Sequence, residues 1–453
     1  MRRLFLMYGL LITFCCKGQD QILSDPLLKH ASISISMVDL SSGEEVYTYD
    51  PDRSLIPAST LKLFTGIPAL DILGEDYRFS TEIAYTGTIE GDGTLSGDLY
   101  IIGGGDPCLG SDRIAGNPDT PTLIKLIGAK IASKISCIDG RIIVLGYDAQ
   151  DRYPVPQGWL FEDLGNYYGA GIWPINLDEN RYYLTFDRSG KVGSTSKIIK
   201  SVPKIDGLSH LNKVVIAEKG SGDQSYILAS PYQYKRHVVG TLPQGKNAYT
   251  IKGAMPDPPR FFMSILTWEL DRLGISYQGT QLKKKHHVKA LKPFTKIKSP
   301  PLIDIVKSIH LESNNFYTEA VANLLKSRNS DLNIDLGQGA KLVDACGLSP
   351  QNRLSSRQMA SFLAKQSRPS SSLLTTLPRV GFSGTLKNML KSSPARGKIY
   401  AKSGSMSGVL CYAGYMEKAG KWYSFSIMMN NFDRKIREMK PLAASIMESL
   451  YLK

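Results

Sequence analysis

The sequence predicts an α+β fold in which one antiparallel sheet is assembled from both ends of the chain, flanked by helices and a helical subdomain, and interrupted by large β-rich inserted domains. Three observations predict it. Residues 31–38 (Ala-Ser-Ile-Ser-Ile-Ser-Met-Val) alternate apolar and polar side chains, as a half-buried strand does. Three further strand-like runs, 398–403, 409–416 and 422–429, crowd the other terminus. The long middle stretch is rich in strand and turn signals instead. At 453 residues the chain exceeds one comfortable core, so two or three domains are expected.

Taken in chain order, Met1-Arg2-Arg3 and the apolar run 4–14 have the basic start and short hydrophobic stretch of a secretory signal, placed at 1–18. No later run is long enough to cross a bilayer, so an exported protein is expected. Cys15 and Cys16 end the apolar run and raise lipidation. Phe14 is bulky where a lipobox wants a small residue, and simple cleavage near Cys16 or Gly18 is the other reading.

Ser41-Ser42-Gly43 turns the first strand into a second around Val46, Tyr47 and Tyr49. Pro57-Ala58 then leads into a helix predicted over 59–73. Ser59 is a favoured first residue, Leu61, Phe64, Ile67, Leu70 and Leu73 recur at helical spacing, and Gly74 is a stop. Pro68 is expected to kink this helix or end it early. Ser59 and Lys62 would share one face a turn apart. A serine hydroxyl is inert near neutral pH, and an unprotonated, desolvated lysine amine can activate it. Backbone N–H groups at a helix start can also hold an oxyanion.

The β-rich insertion is set at 87–289, one or two domains, between the flanking segments 19–86 and 290–453. Its turn signals include Gly91-Asp92-Gly93, Gly97-Asp98 and Ser189-Gly190. Gly103-Gly104-Gly105-Asp106 lacks the lysine of a phosphate loop and reads as a tight turn after a strand. The basic run 283–289 reads as a solvated linker, and His286-His287 has no third ligand nearby, so no metal site is expected. A helical region resumes over 302–326. His310 has no evident acid–base partner. Gly420 joins the last two strands as a hairpin, and an amphipathic helix is expected over 442–452, after Pro441.

Three short polar motifs stand out in fixed order: Ser59-Thr60-Leu61-Lys62, Ser313-Asn314-Asn315 and Lys402-Ser403-Gly404. Each alone is weak. Together they point to an active-site serine acyltransferase. The formal charge of +14, two of which come from Arg2 and Arg3, suits an anionic polymer or membrane surface. No zinc ligand set, RNA-binding signature or cofactor motif accompanies it, so neither nucleic acid nor a cofactor is expected. Cys108, Cys137, Cys346 and Cys411 permit disulfides, Cys108 with Cys137 being the nearer pair in sequence, and free buried thiols are the alternative.

With these residues in view, the chain resembles the class C low-molecular-mass penicillin-binding proteins, serine peptidases of the D-alanyl-D-alanine carboxypeptidase/endopeptidase type. The resemblance also rests on Gly97-Asp98-Leu99-Tyr100, Gly105-Asp106-Pro107, Tyr168-Gly169-Ala170, Asp178-Glu179-Asn180, Gly347-Leu348-Ser349, Asn352-Arg353, Gly384-Thr385-Leu386 and Ala413-Gly414-Tyr415. It implies a β-lactamase/DD-peptidase-like domain, a periplasmic location, peptidoglycan peptides as substrate and covalent inhibition by β-lactams. Membrane association and a homodimer stay open.

Carried over by position, the resemblance implies that Ser59 attacks the penultimate D-alanine carbonyl with Lys62 as base. Ser313 relays the proton to the leaving amine. Asn315 binds the substrate amide, Lys402 and Ser403 attract the terminal carboxylate, Gly404 completes that motif, and the N–H groups of Ser59 and Ser405 form the oxyanion hole. Asp163 and Tyr168 match the residues that meet the free amine of a stem diamino acid. Pro350 replaces a usual basic residue. Two other readings are carried: a β-lactamase, for which no second base is in place, and a penicillin-binding wall scaffold without turnover.

Overall fold

The computed structural model describes residues 22–145, 153–283, 291–328, 336–365 and 369–453. The leader, Cys15, Cys16 and His286-His287 lie outside them. The chain forms two compact units. One comprises the residues up to Leu73 with Val306–Asn314 and Leu325–Lys453; the other comprises Gly74–Ile305 with Asn315–Leu324.

The first unit holds a five-stranded antiparallel sheet in the order Ile399–Met406, Val409–Lys418, Lys421–Asn430, Ser32–Asp39, Glu45–Tyr49. Both chain ends therefore meet in one sheet, as the alternating patterns predict. Ile33, Ile35 and Met37 face a core that includes Phe425, Ile427, Met439, Ile446 and Met447, so this face packs on the terminal helix Ile436–Leu452. The opposite face carries Cys411, Ala413 and Tyr415 against Leu61, Phe64, Ile67 and Met359.

The first strand is not half-buried as expected. Ser34 and Ser36 are as buried as the isoleucines. The strand is internal, with helices on both faces, and small serines let Ser356–Ala364 approach; Ser34 Oγ bonds Ser356 Oγ at 2.6 Å.

Two prolines are absorbed rather than terminating. Pro68 sits inside Leu63–Leu73 and Pro441 inside Ile436–Leu452. Each removes one helical hydrogen bond. The loss is outweighed where Phe64 stacks on Phe362 with ring centroids 4.0 Å apart, and where Leu442, Ala443 and Ile446 are buried.

The second unit is built on a seven-stranded mixed sheet together with three smaller sheets. Ser80–Tyr85 and Lys292–Lys298 pair with each other in the large sheet. Those ladder bonds carry the unit's edges outward to Gly74 and Ile305, beyond the expected 87 and 289. Its core gathers Ile101, Ile142, Val144, Leu184, Phe186, Phe262 and Leu266. Residues 103–105 continue irregularly after Leu99–Ile102, and the turn comes later, at 107–110. Cys108, Cys137, Cys346 and Cys411 are all free thiols.

Candidate active site

Ser59 does not cap a helix. It lies in a 3-10 turn, Ala58–Lys62, which runs into the α-helix Leu63–Leu73. Pro57 precedes the turn and accepts the Thr60 hydroxyl on its carbonyl at 2.7 Å. Ala58 takes φ 45°, a left-handed conformation rare for a residue with a Cβ. Such local strain persists only where surrounding packing enforces it, and here it stands immediately before the motif serine.

The turn brings Lys62 Nζ to 2.9 Å from Ser59 Oγ. The same ammonium donates to the Cys346 carbonyl at 2.6 Å, although Lys62 is fully buried. That carbonyl is fixed by a loop folded around a buried carboxylate. Asp344 accepts from the Gly347 and Ser349 amides at 2.7 and 2.6 Å and from the Asn352 side chain at 2.8 Å. In the sequence Cys346 stands out for its thiol. Its contribution is the backbone oxygen, which no side-chain pattern announces.

Ser313 and Lys402 form a second pair. Ser313 sits in the break between the helices Leu302–Leu311 and Asn315–Ser327, at φ 60°. Lys402 Nζ donates to Ser313 Oγ at 2.9 Å and to its neighbour's carbonyl, Ser403 O, at 2.6 Å. Lys402 is fully buried, and among the described residues it makes no ion pair. Burial first, and then the Lys62 charge, hold its amine well below the ordinary lysine range.

Gly404 explains why the third motif ends in glycine. It faces the same side of the sheet as Cys411, its partner across the ladder. A Cβ there would stand 2.7 Å from the Ser59 amide nitrogen and 2.8 Å from Pro57 O. The edge strand can approach the serine turn only without a side chain at this position. Ser405, next along the strand, is exposed, and Ser403 Oγ donates to Thr385 Oγ1 at 2.7 Å.

His310 is buried beneath this site. Its Nδ1 lies 2.8 Å from Thr376 Oγ1, and its Nε2 lies where a Cβ on Gly66 would be, at 2.4 Å. Burial, followed by the Lys402 charge, pulls its pKa down to about 3, so the ring is neutral. The histidine is packed, with Thr376 as the partner that the sequence did not reveal.

Asn315, Asp163 and Tyr168 belong to the second unit, where they are brought together. Asn315 Nδ2 donates to the Tyr168 carbonyl at 3.0 Å. The Tyr168 hydroxyl bonds the Asp163 carboxylate, and burial raises the pKa values of both groups. Below them Glu179 accepts from Arg113 at 2.6 and 2.9 Å and from Arg181 at 3.2 Å, and Asp178 accepts from Arg181 at 2.9 Å.

The model of the D-Ala-D-Ala carboxypeptidase 3 (S13) family matches residues 17–447. A D-alanyl-D-alanine carboxypeptidase of Actinomadura sp. is 27% identical over 446 residues, covering 91% of this chain and 80% of its own. The D-alanyl-D-alanine carboxypeptidase DacB of Haemophilus influenzae is 24% identical over 453 residues, covering 94% and 91%. The crystal structure of penicillin binding protein 4 from Haemophilus influenzae superposes with a TM-score of 0.78 at 22% identity, covering 96% of this chain and 98% of that one, and so shares the fold. The match runs through all three motifs and nearly the whole sequence, and the chain belongs to the D-Ala-D-Ala carboxypeptidase 3 (S13) family.

Proposed function

We propose that this enzyme, a serine D-Ala-D-Ala carboxypeptidase, hydrolyses peptidoglycan stem peptides or cross-links through an acyl-enzyme on Ser59. The observation that carries the mechanism is the pair of buried lysine–serine contacts, Lys62 to Ser59 and Lys402 to Ser313, each at 2.9 Å.

Two neighbouring buried ammonium groups oppose each other's charge, so together they hold fewer protons than two isolated lysines. A neutral Lys62 takes the hydroxyl proton as Ser59 Oγ bonds to the penultimate D-alanine carbonyl carbon. The carbonyl electron pair moves to oxygen, which is held by the N–H groups of Ser59 and Ser405. Collapse breaks the carbon–nitrogen bond, and the proton returns to the leaving amine through Ser313. Water then attacks the ester, and Ser59 recovers its proton. The edge strand Ile399–Met406 offers backbone groups to an extended peptide, and Lys402 with Ser403 attracts its terminal carboxylate. Asn315 holds the substrate amide. Asp163 and Tyr168 hold the amine of the stem diamino acid.

The same serine takes β-lactams as slow substrates. The basic signal-like start supports export to a periplasmic site of action, and the second unit supports a role in orienting the wall polymer.

Mass spectrometry of the mature protein with penicillin, and separately with a cross-linked muropeptide, tests this reading against a Ser59→Ala control. A slowly lost adduct on Ser59 together with D-alanine release or cross-link cleavage is expected. An adduct without peptide turnover would point to the scaffold reading, and fast penicillin hydrolysis without muropeptide change to a β-lactamase.

A further inference from the structure

In the second unit Lys252 is a half-buried cation beside two tyrosine rings. Lys252 lies on the strand Tyr249–Ala254, opposite Tyr183 in the antiparallel ladder, so the two side chains share a face. Its Nζ stands 6.0 Å from the Tyr183 ring centre and 5.5 Å from that of Tyr167. Tyr183 is contacted in turn by the Arg181 guanidinium at 5.6 Å. The turn carrying Tyr167 is tied to this strand by the bridge between Asn166 and Gly253.

The charges around Lys252 do not match it. Burial, then Arg181, then Arg113 act against its ammonium form, and Glu179 and Asp178 only partly offset them. Those two carboxylates are already taken, Glu179 by both arginines, Ser111 and Tyr317, and Asp178 by Arg181. The exposed Asp112 acts on Asp178 and Tyr183. Lys252 itself makes no ion pair or hydrogen bond among the described residues, though it is half-buried. An aromatic face attracts a cation only weakly, which does not replace an anion. A partly desolvated ammonium with no counter-charge suits a site that receives its anion from outside.

The position indicates which anion. Tyr167 is 44% exposed, so the cage opens to solvent on that side. Its ring meets the Tyr168 ring edge-on at 5.5 Å, and the Tyr168 carbonyl holds Asn315, the last residue of the second motif. Two adjacent tyrosines thus carry opposite charges: Asp163 at the Tyr168 hydroxyl and Lys252 at the Tyr167 face. That arrangement matches a peptide bearing both an amine and a carboxylate.

We propose that Lys252, caged by Tyr167 and Tyr183, is a carboxylate subsite that binds an acidic side chain of the peptide stem. The proposal rests on the reading of the chain as a stem-peptide hydrolase. Its test is kept apart from turnover by measuring binding in the Ser59→Ala background. The probes are the pentapeptide L-Ala-γ-D-Glu-L-Lys-D-Ala-D-Ala with a free glutamyl α-carboxyl and the same peptide with that group as the carboxamide, titrated by calorimetry at pH 7.

The free acid is expected to bind about tenfold more tightly than the amide. The further change Lys252→Met should bring the ratio to about one, and Lys252→Arg should retain most of it. Equal binding of the two peptides to the Ser59→Ala protein, or a preference that survives Lys252→Met, would overturn the subsite. Failure of the wild-type protein to form any Ser59 adduct would instead remove the hydrolase reading, and the binding ratio distinguishes the two failures.

Discussion

The two units treat buried charge in opposite ways. In the second, Arg113 and Arg181 are met by Glu179 and Asp178, and cations and carboxylates close on one another at 2.6–3.2 Å. In the first, Lys62 and Lys402 are fully buried, and the groups to which they donate include the hydroxyls of Ser59 and Ser313 and the carbonyls of Cys346 and Ser403. A matched network holds its protons fixed and serves to pin loops. Burial and then the Lys62 charge pull the Lys402 amine below its ordinary range, and both amines are set beside motif hydroxyls. The sign and partner of a buried charge separate scaffold from chemistry here better than burial itself.

The sharpest way to break this contrast is to freeze the charge at one amine. Lys62→Arg keeps a cation that cannot lose its proton, so Ser59 loses its base, and the rate of penicillin acylation should fall by about a thousandfold or more. Stopped-flow labelling reads it, and a loss under tenfold would mean that Lys62 is not the base. The counterpart in the second unit is Glu179→Gln, which leaves Arg113 against a neutral amide and Arg181 with Asp178 as its carboxylate. Breaking a buried pair in this way costs about 3–5 kcal/mol. Calorimetry should show a lowered transition, while protein that remains folded still labels at Ser59.

His310 sharpens the comparison through pH. Its folded pKa of about 3 lies below the ordinary 6.5, so the unfolded chain binds the extra proton first. The stability it contributes is complete above pH 6.5 and is lost as pH falls toward 3, a loss on the order of 3 kcal/mol by pH 4. His310→Gln should flatten the fall in Tm between pH 7 and pH 4.5; an unchanged slope would place the acid sensitivity elsewhere. The smallest effect is expected of Gly404→Ala, whose methyl must push the strand off the Ser59 amide. Acylation should slow about tenfold, with Tm reduced by only a few degrees, and an unaltered rate would show that the contact can relax freely.

Much of this could be read from residue order. The alternation at 31–38 and the three late strand runs predicted a sheet closed by both termini, because a strand's side-chain period is local. The three motifs announced Ser59, Lys62, Ser313 and Lys402, since the chemistry needs those side chains. What stayed hidden was carried by backbone and by distance. The Cys346 carbonyl has no residue signature. The 3-10 form of the Ser59 turn depends on Ala58 holding a left-handed angle that no propensity predicts. Pro68 reads as a kink or stop and Pro441 as the residue before a helix because their local penalty is visible, and the packing that overrides it is not. The unit edges at Gly74 and Ile305 depend on a ladder between strands far apart in sequence.

The union of the first strand with the last three has a consequence in time. A polypeptide leaving the ribosome from its N-terminus produces Ser59 well before Lys402 and the strand that faces the serine turn, which follow more than three hundred residues later. Contacts this far apart in sequence are slow to close. The nascent chain is therefore chemically silent until Lys402 has been made, and a product that stops before the hairpin 409–430 carries the nucleophile without the means to use it.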